Sequence, residues 1–337
     1  MTTKIDVRAL QKELNKEFGD ALLFGDDPGL VPQFIPTGID NLDAALEGGI
    51  QKGQIILVVG KFASAKSTFA LRVVACAQRQ GDTAAWIDGE RALDQKWAAR
   101  NGVNLKDLLY TKPRTAEQAF DIARALIEAG VGVVVIDSLV SLVPAARLNA
   151  EKGMDQKFMG QKAQLINEGL GLLNSCLVEK TTAVICINQL REKVGVVYGN
   201  PEFIPGGKGQ EFIASTLIRT MRKGWIDEGT DKAKKHVGFV LGLKVEKSRN
   251  SEPFRYVEVP FRFFGDEIFD TEAALYSRAI DLDIIHKKGA IYTIPGIAPA
   301  VKLIGLAKLQ AYLDSEPEIF EAVRIAVRDA DSGSPDD

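Results

Sequence analysis

From Ile55 onward the chain alternates short, almost purely apolar runs with longer segments in which apolar residues return every three or four positions. The apolar runs are Ile55–Val59, Thr83–Asp88, Leu108–Tyr110, Val131–Ile136, Ala183–Asn188 and Leu217–Arg222. Each has strand length, and Val, Ile and Ala without polar alternation suit strands buried on both faces. Between them the helical period marks Ser67–Arg79, closed by Gly81, then Ala116–Ala129 and Gln161–Leu177. Strands separated by helices predict an α/β core: a mostly parallel sheet with helices on both faces.

The flanks read differently. Val237–Val245 and Arg255–Phe263 alternate more regularly, which predicts an antiparallel extension at the sheet edge. From Asp270 the pattern passes through Glu272–Ile285 and Ala290–Ile294 to helices near Ala307–Leu313 and Glu318–Val327, enough for a small C-terminal α/β domain. Residues 329–337 are acidic with Ser, Gly and Pro, a composition expected to lack fixed structure. At the other end Val7, Leu10, Leu14 and Phe18 fall at helical spacing. A helix so far ahead of the core can fold back or dock on another subunit, and the pattern leaves both open. The expected partition is an N-terminal helix and linker (1–32), a core (33–269), a small domain (270–328) and a tail (329–337).

Composition removes several function classes. The 337 residues are 46% hydrophobic and 26% charged, ordinary values for a soluble globular chain. The longest apolar stretches are too short to span a bilayer, and the N-terminus lacks a basic segment joined to an apolar run. A cytoplasmic protein without membrane contact is expected. Cys76, Cys176 and Cys186 have no metal-site spacing and read as buried thiols in a reducing compartment. The two histidines, His236 and His286, lie far apart, which argues against a multi-His metal site. A net charge of −3 supplies no global field for a polyanion, so any nucleic-acid contact must be local.

Candidate chemistry begins with Gly60-Lys61-Phe62-Ala63-Ser64-Ala65-Lys66-Ser67-Thr68, between a predicted strand and a predicted helix. That is the context of a phosphate-binding loop, in which backbone N–H groups and a helix N-terminus cradle phosphate oxygens. Lys66, expected at a solvated pocket mouth, would reach the β- and γ-phosphates of ATP, and the Ser67 hydroxyl would ligate Mg2+. Ala65 occupies the second glycine of the pattern; if that position needs positive φ, the alanine costs roughly 1 kcal/mol. An ordinary strand–helix turn with a solvated lysine is the alternative.

A second segment, Val133 to Ser138, is an apolar strand ending in Asp137, placed to support Mg2+ through water. In a third, Trp86-Ile87-Asp88-Gly89-Glu90, Glu90 falls just past a strand end, where a general base for hydrolysis would sit. A fourth starts at Ile187-Asn188-Gln189-Leu190-Arg191-Glu192-Lys193 and runs to Gly206-Gly207-Lys208-Gly209. A loop this long is either functional or a surface insert. Arg191, Lys193 and Lys208 provide cations, and the glycines allow close backbone approach to phosphates.

Taken together these residues resemble RecA, the bacterial and phage recombinase family. The likeness extends from Glu17-Phe18-Gly19 and Pro36–Asp43 through Ile87–Asp94 and Asn188–Arg191. Its most specific part is Gly195-Val196-Val197-Tyr198-Gly199-Asn200-Pro201-Glu202 with Gly206-Gly207, and it covers residues 5 to 328. The resemblance implies a homologous recombinase that hydrolyses ATP with Mg2+, forms helical filaments on single-stranded DNA, pairs it with double-stranded DNA and works with single-strand-binding and loader proteins. It implies Lys66 and Ser67 on phosphate and Mg2+, Asp137 supporting the metal, Glu90 as base and Gln189 as the γ-phosphate sensor. Asp94 and Trp97 would meet adenine, and Lys247 and Arg249 would reach the ATP of a neighbouring subunit. Met159 and Val194 would separate base triplets, in loops at about 149–160 and 192–208. Asn167, Arg191, Lys193, Gly206, Gly207 and Lys208 would face DNA.

Departures from the family are Ala65, the Lys61-Phe62-Ala63 series, Gln164 and Gly171 in place of arginines, and Glu211 in place of a lysine. They bear on turnover, DNA affinity and assembly, and they point to a phage-encoded member. A RecA-fold ATPase of another class, a ring helicase or a nucleotide-gated assembly protein, would share Lys66, Asp137 and Glu90. It would not need Val196–Gly207 or the C-terminal domain.

Overall fold

Apolar runs without polar alternation can be satisfied only when both sheet faces are covered, and they form the centre of one large sheet. The computed structural model describes residues 5–19, 22–148, 157–193, 195, 201–229, 233–265 and 267–332. It divides into two units, 1–33 and 34–337.

The first unit holds helix α1 (Val7–Phe18). The Asp6 carboxylate accepts from the Arg8 and Ala9 N–H groups, and Gly19 closes the helix at φ 67°. Asn15 and Gln11 then hydrogen-bond the Leu22 backbone. No residue of α1 is buried; Val7 and Phe18 are 61% and 62% exposed.

In the second unit β1 (Phe34–Ile35) pairs with β2 (Ile50–Gln51) around α2 (Asp40–Ala45). The α/β core follows: β3 (Ile55–Gly60), α3 (Lys66–Arg79), β4 (Ala84–Asp88), α4 (Gln95–Arg100), β5 (Leu108–Thr111), α5 (Ala116–Glu128) and β6 (Val133–Asp137). Next come α6 (Ala145–Leu148), α7 (Lys157–Cys176), β7 (Ala183–Gln189), a ribbon of β8 (Arg191–Glu192) with β9 (Glu202–Phe203), and α8 (Gly209–Ile213). Three long strands complete the sheet: β10 (Thr216–Glu228), β11 (Lys235–Lys247) and β12 (Tyr256–Arg262).

Among the described residues the main sheet has eight strands in the order β12-β11-β10-β3-β7-β6-β4-β5. The strands from β10 to β5 run parallel, and β11 and β12 add antiparallel. Alternate residues of β3 enter different cores. Ile56 and Val58 pack with Phe69 and Val73 of α3. Ile55, Leu57 and Val59 pack with Phe120 of α5 and Ile166 and Leu170 of α7. The parallel arrangement brings the C-terminal ends of β3, β4, β6 and β7 together, where ligands bind in open α/β sheets.

Beyond the sheet lie α9 (Thr271–Asp281), an antiparallel sheet of β13 (His286–Lys288), β14 (Ile291–Ile294) and β15 (Ala298–Ile304), then α10 (Leu306–Ser315) and α11 (Pro317–Ser332). They share a core containing Tyr276, Tyr292, Leu309 and Val323.

Several boundaries differ from the sequence reading. Strand β10 continues past Arg222, where its side chains are largely exposed and the apolar signal fades while pairing with β11 continues to Glu228↔Lys235. The tail expected from 329 is helical to Ser332, because the buried Asp331 carboxylate pairs with the Arg278 guanidinium (Nε to Oδ1 3.0 Å); 333–337 lie outside the described residues. Met159, expected in a loop, falls in the first turn of α7. No helix among the described residues is long and apolar enough to cross a membrane.

Candidate nucleotide site and the loop beside it

Strand β3 ends at Gly60, flanked by Gln189 of β7 and Thr220 of β10. Gly60 is required by packing: a Cβ there would lie 2.3 Å from Thr220 Oγ1 and 2.4 Å from Ser64 Oγ. Those two hydroxyls are 2.7 Å apart, and Ser64 Oγ also donates to the Lys61 carbonyl at 2.8 Å. The chain then turns through left-handed Ala63 and Ala65 (φ 54° and 61°) into α3. Ala65 offers no side-chain cap, so the first-turn N–H groups are available to an anion.

The positive φ at Ala65 gives the missing glycine a measurable cost. Left-handed backbone is unfavourable by roughly 1–2 kcal/mol for a residue with a Cβ, partly offset by the greater freedom of unfolded glycine. Ala65→Gly is therefore expected to stabilise the protein by about 1 kcal/mol, read as a higher denaturant midpoint at unchanged slope. A lower midpoint would show that the alanine methyl is needed for packing.

Lys66 differs from the expectation of a solvated mouth. It is 8% exposed and donates from Nζ to the Lys61 carbonyl at 2.8 Å. Burial lowers its pKa, with Asp137 and Glu90 acting in the opposite sense. Asp137 ends β6, and burial pushes its carboxyl up to about 7 against the hydrogen bond from Ser67. Its Oδ1 is buried without a partner. An orphaned carboxylate oxygen beside a serine hydroxyl fits a hard divalent cation, which such sites hold through one or two protein oxygens plus substrate phosphates. Among the described residues no group of three or more His, Cys, Asp or Glu could hold a metal unaided.

Glu90 follows β4 and is fixed from both directions. The Gly89 and Glu90 N–H groups donate to the Asp137 carbonyl (2.7 and 3.1 Å). Its Oε1 accepts from Ser138 Oγ (2.6 Å), Ser141 Oγ (3.2 Å) and Gln189 Nε2 (3.0 Å). Trp97 donates from its indole to Thr68 Oγ1 at 3.1 Å, and the Arg100 guanidinium lies 5.1 Å from its ring. Phe62, Ala63, Ser64, Ala65, Lys66, Ser67, Thr68, Glu90, Trp97, Asp137 and Gln189 line one cleft of about 380 Å3.

Of the expected loop and adenine residues, Gly60, Lys61 and Asp94 do not line it. Asp94 instead caps α4, accepting from the Trp97 N–H at 2.8 Å. Lys61 turns its ammonium away to Glu192 and Glu202. Sequence reasoning missed Arg222, Phe239, Phe261 and Phe263, which complete the wall; the dense aromatics of Phe261-Arg262-Phe263-Phe264 were the available signal. Lys247 and Arg249 also lie elsewhere. Lys247 is opposite Leu217, itself beside Leu57, towards the end of the sheet away from Gly60. It donates to the carbonyls of Glu211, Phe212 and Ala214 (2.8, 3.0 and 2.6 Å), and Arg249 donates to that of Phe212 (3.2 Å).

The long segment after Gln189 is closed at its base, where Arg191 pairs with Phe203 and Glu192 with Glu202. Arg191 and Lys193 are exposed, with the Lys193 ammonium 5.8 Å from the Phe203 ring. Gly206 and Gly207 have φ 97° and 84°, and Lys208 is exposed just before α8. A buried amide pair, unnoticed in the sequence, fixes this end: Asn188 Nδ2 donates to Pro205 O and Gln210 Oε1, both at 2.8 Å. Gln210 Nε2 donates in turn to the Pro205 and Gly207 carbonyls (2.7 and 2.9 Å). Asn167 packs on the same turn; a Cβ at Gly209 would lie 2.5 Å from its Oδ1. Val194 and 196–200 lie outside the described residues, as do 149–156.

The profile of the RecA N-terminal domain matches residues 5–268. Protein RecA of Enterococcus faecalis is 37% identical over 331 residues, 97% of this chain and 92% of the relative. Protein RecA of Thermus thermophilus is 37% identical over 323 residues, 95% of this chain and 92% of the relative. Among solved structures the RadB recombinase matches with a TM-score of 0.51 at 16% identity, over 70% of this chain and 98% of that one, a likeness of fold. With a family profile over most of its length and relatives at this identity, the chain belongs to the RecA family.

Proposed function

We propose that this protein is an ATP-dependent homologous recombinase that forms helical filaments on single-stranded DNA and exchanges it with a homologous duplex. The Gln189–Glu90 hydrogen bond of 3.0 Å carries the reading. It joins a carboxylate positioned for hydrolysis to the residue that leads into the cationic loop.

The loop from Gly60 to Thr68 and the start of α3 bind the ATP phosphates through backbone N–H groups and Lys66, while Trp97 stacks on the base. Ser67 and Asp137 hold Mg2+, which neutralises charge on the phosphates when bound. Glu90 Oε1, held by Ser138 and Ser141, orients the attacking water and takes its proton. Lys247 and Arg249, outside their own cleft, act on the nucleotide of an adjacent subunit. Helix α1, with no buried residue of its own, docks on a neighbour in a head-to-tail contact that propagates as an open helix. Single-strand-binding and loader proteins are the expected partners, and 1–32, 33–269, 270–328 and 329–337 are the proposed functional divisions.

A net charge of −3 confines DNA affinity to local contacts. Arg191, Lys193 and Lys208, with Gly206 and Gly207, touch backbone phosphates, so binding depends weakly on base sequence. Each lost phosphate contact lowers the salt slope of log affinity by about 0.7 for single strands. Replacing Arg191 and Lys208 together with alanine should flatten the slope by about 1.4 and abolish most DNA-stimulated ATP hydrolysis while basal hydrolysis survives. Normal affinity and normal stimulation in that variant would place the DNA elsewhere.

A further inference from the structure

Lys61 stands where its backbone and its side chain serve different parts of the protein. Its carbonyl accepts from Ser64 Oγ and Lys66 Nζ, both at 2.8 Å. Its ammonium lies 2.6 Å from Glu192 Oε1 and 3.0 Å from Glu202 Oε1. Glu192 and Glu202 are directly opposed across the β8–β9 ribbon, a position where like charges repel. Lys61 is a cation shared by both, and it comes from the phosphate-binding loop. Behind it Arg219 holds Glu202 and makes paired bonds of 2.6 and 3.2 Å to Glu246. The charges thus continue into strand β11.

We propose that Lys61 is a positioning residue that couples nucleotide binding to the placement of the β8–β9 ribbon, acting beside the Gln189–Glu90 contact. The inference rests on reading the loop at 60–68 as the ATP loop and the ribbon as the base of a DNA-binding segment. Phosphate that draws Lys66 Nζ to itself takes one of two donors from the Lys61 carbonyl. The same residue holds the two carboxylates that face each other in the ribbon, so a change at the phosphate end reaches both strands through one side chain. Lys61 and Glu192 are both well exposed, so their pairing adds little to global stability. An exposed, breakable ion pair is suited to a link that must differ between two states.

Hydrogen exchange at the amides of Arg191–Lys193 and Glu202–Phe203 tests this in the full chain, with and without a saturating non-hydrolysable ATP analogue. The analogue should slow exchange roughly tenfold in the wild type and less than about twofold in Lys61→Ala, while Lys61→Arg keeps most of the response. Titration of the analogue on each variant, with exchange measured at saturation, separates lost coupling from weakened nucleotide affinity. An equal response in wild type and Lys61→Ala, or none in the wild type, overturns the proposal. Single-stranded DNA affinity with and without the analogue forms a second arm. A wild type whose DNA binding ignores the analogue overturns the recombinase reading, while the exchange arm still reports on Lys61.

Discussion

Glu90→Gln is expected to slow ATP hydrolysis by about 10²–10⁴-fold, the usual contribution of a positioned general base. Glutamine has the same shape, and its amide oxygen can accept from Ser138 and Gln189 as the carboxylate Oε1 does at 2.6 and 3.0 Å. What it cannot do is take the proton of an attacking water. Nucleotide affinity should therefore stay near the wild-type value, and the proposed assembly on single-stranded DNA should persist. Filaments should outlast those of the wild type because the step that resets them is slow. Phosphate release in single-turnover and steady-state assays measures the first effect, and salt- or competitor-induced disassembly measures the second. Turnover at the normal rate would make Glu90 a bystander and remove the hydrolytic reading of this corner of the cleft.

Residues that combine a local pattern with a backbone requirement were legible in the sequence. The central strands announced themselves because burial on both faces favours runs of apolar residues without polar alternation, as in Val133–Ile136. The missing glycine raised the question of positive φ at Ala65, and the residue does take it, at φ 61°. What stayed hidden depends on partners distant in the chain. Lys61 reads as part of a phosphate loop, yet its side chain is directed by Glu192 and Glu202. Arg222 and Phe263 join the cleft only because β10 pairs parallel beside β3 and β11 and β12 extend the sheet antiparallel from it. Asp331 looks like tail composition until Arg278 is seen to meet it. Short-range spacing singles out a candidate phosphate loop, whereas side-chain direction is set by the fold.

Lys66→Met is expected to abolish nucleotide-driven strand exchange and to cut hydrolysis by about 10²–10³-fold, the scale of losing one preorganised electrostatic contact to developing charge. Its effect on stability should run the other way. Lys66 is 8% exposed, and burial lowers its pKa despite the nearby Asp137 and Glu90 carboxylates; desolvation outweighs attraction in this corner, as it does for Asp137, pushed up to about 7. A lysine whose folded pKa lies below the unfolded value near 10.4 destabilises the fold while charged. That penalty is present in full below the lowered pKa. It is relieved as pH rises from there towards the unfolded value, because over that window the unfolded chain binds more protons than the folded one. Methionine of similar length fills the space without the charge, and the Lys61 carbonyl keeps its bond from Ser64 Oγ, so no buried acceptor is orphaned. The variant should therefore be at least as stable as the wild type at pH 7, with an advantage that shrinks as the pH is raised towards 10. Denaturant midpoints at the two pH values, measured without nucleotide, give the comparison. A variant less stable than the wild type at neutral pH would mean that the Lys66–carboxylate attraction exceeds its desolvation, and the order of the two effects in this site would be reversed.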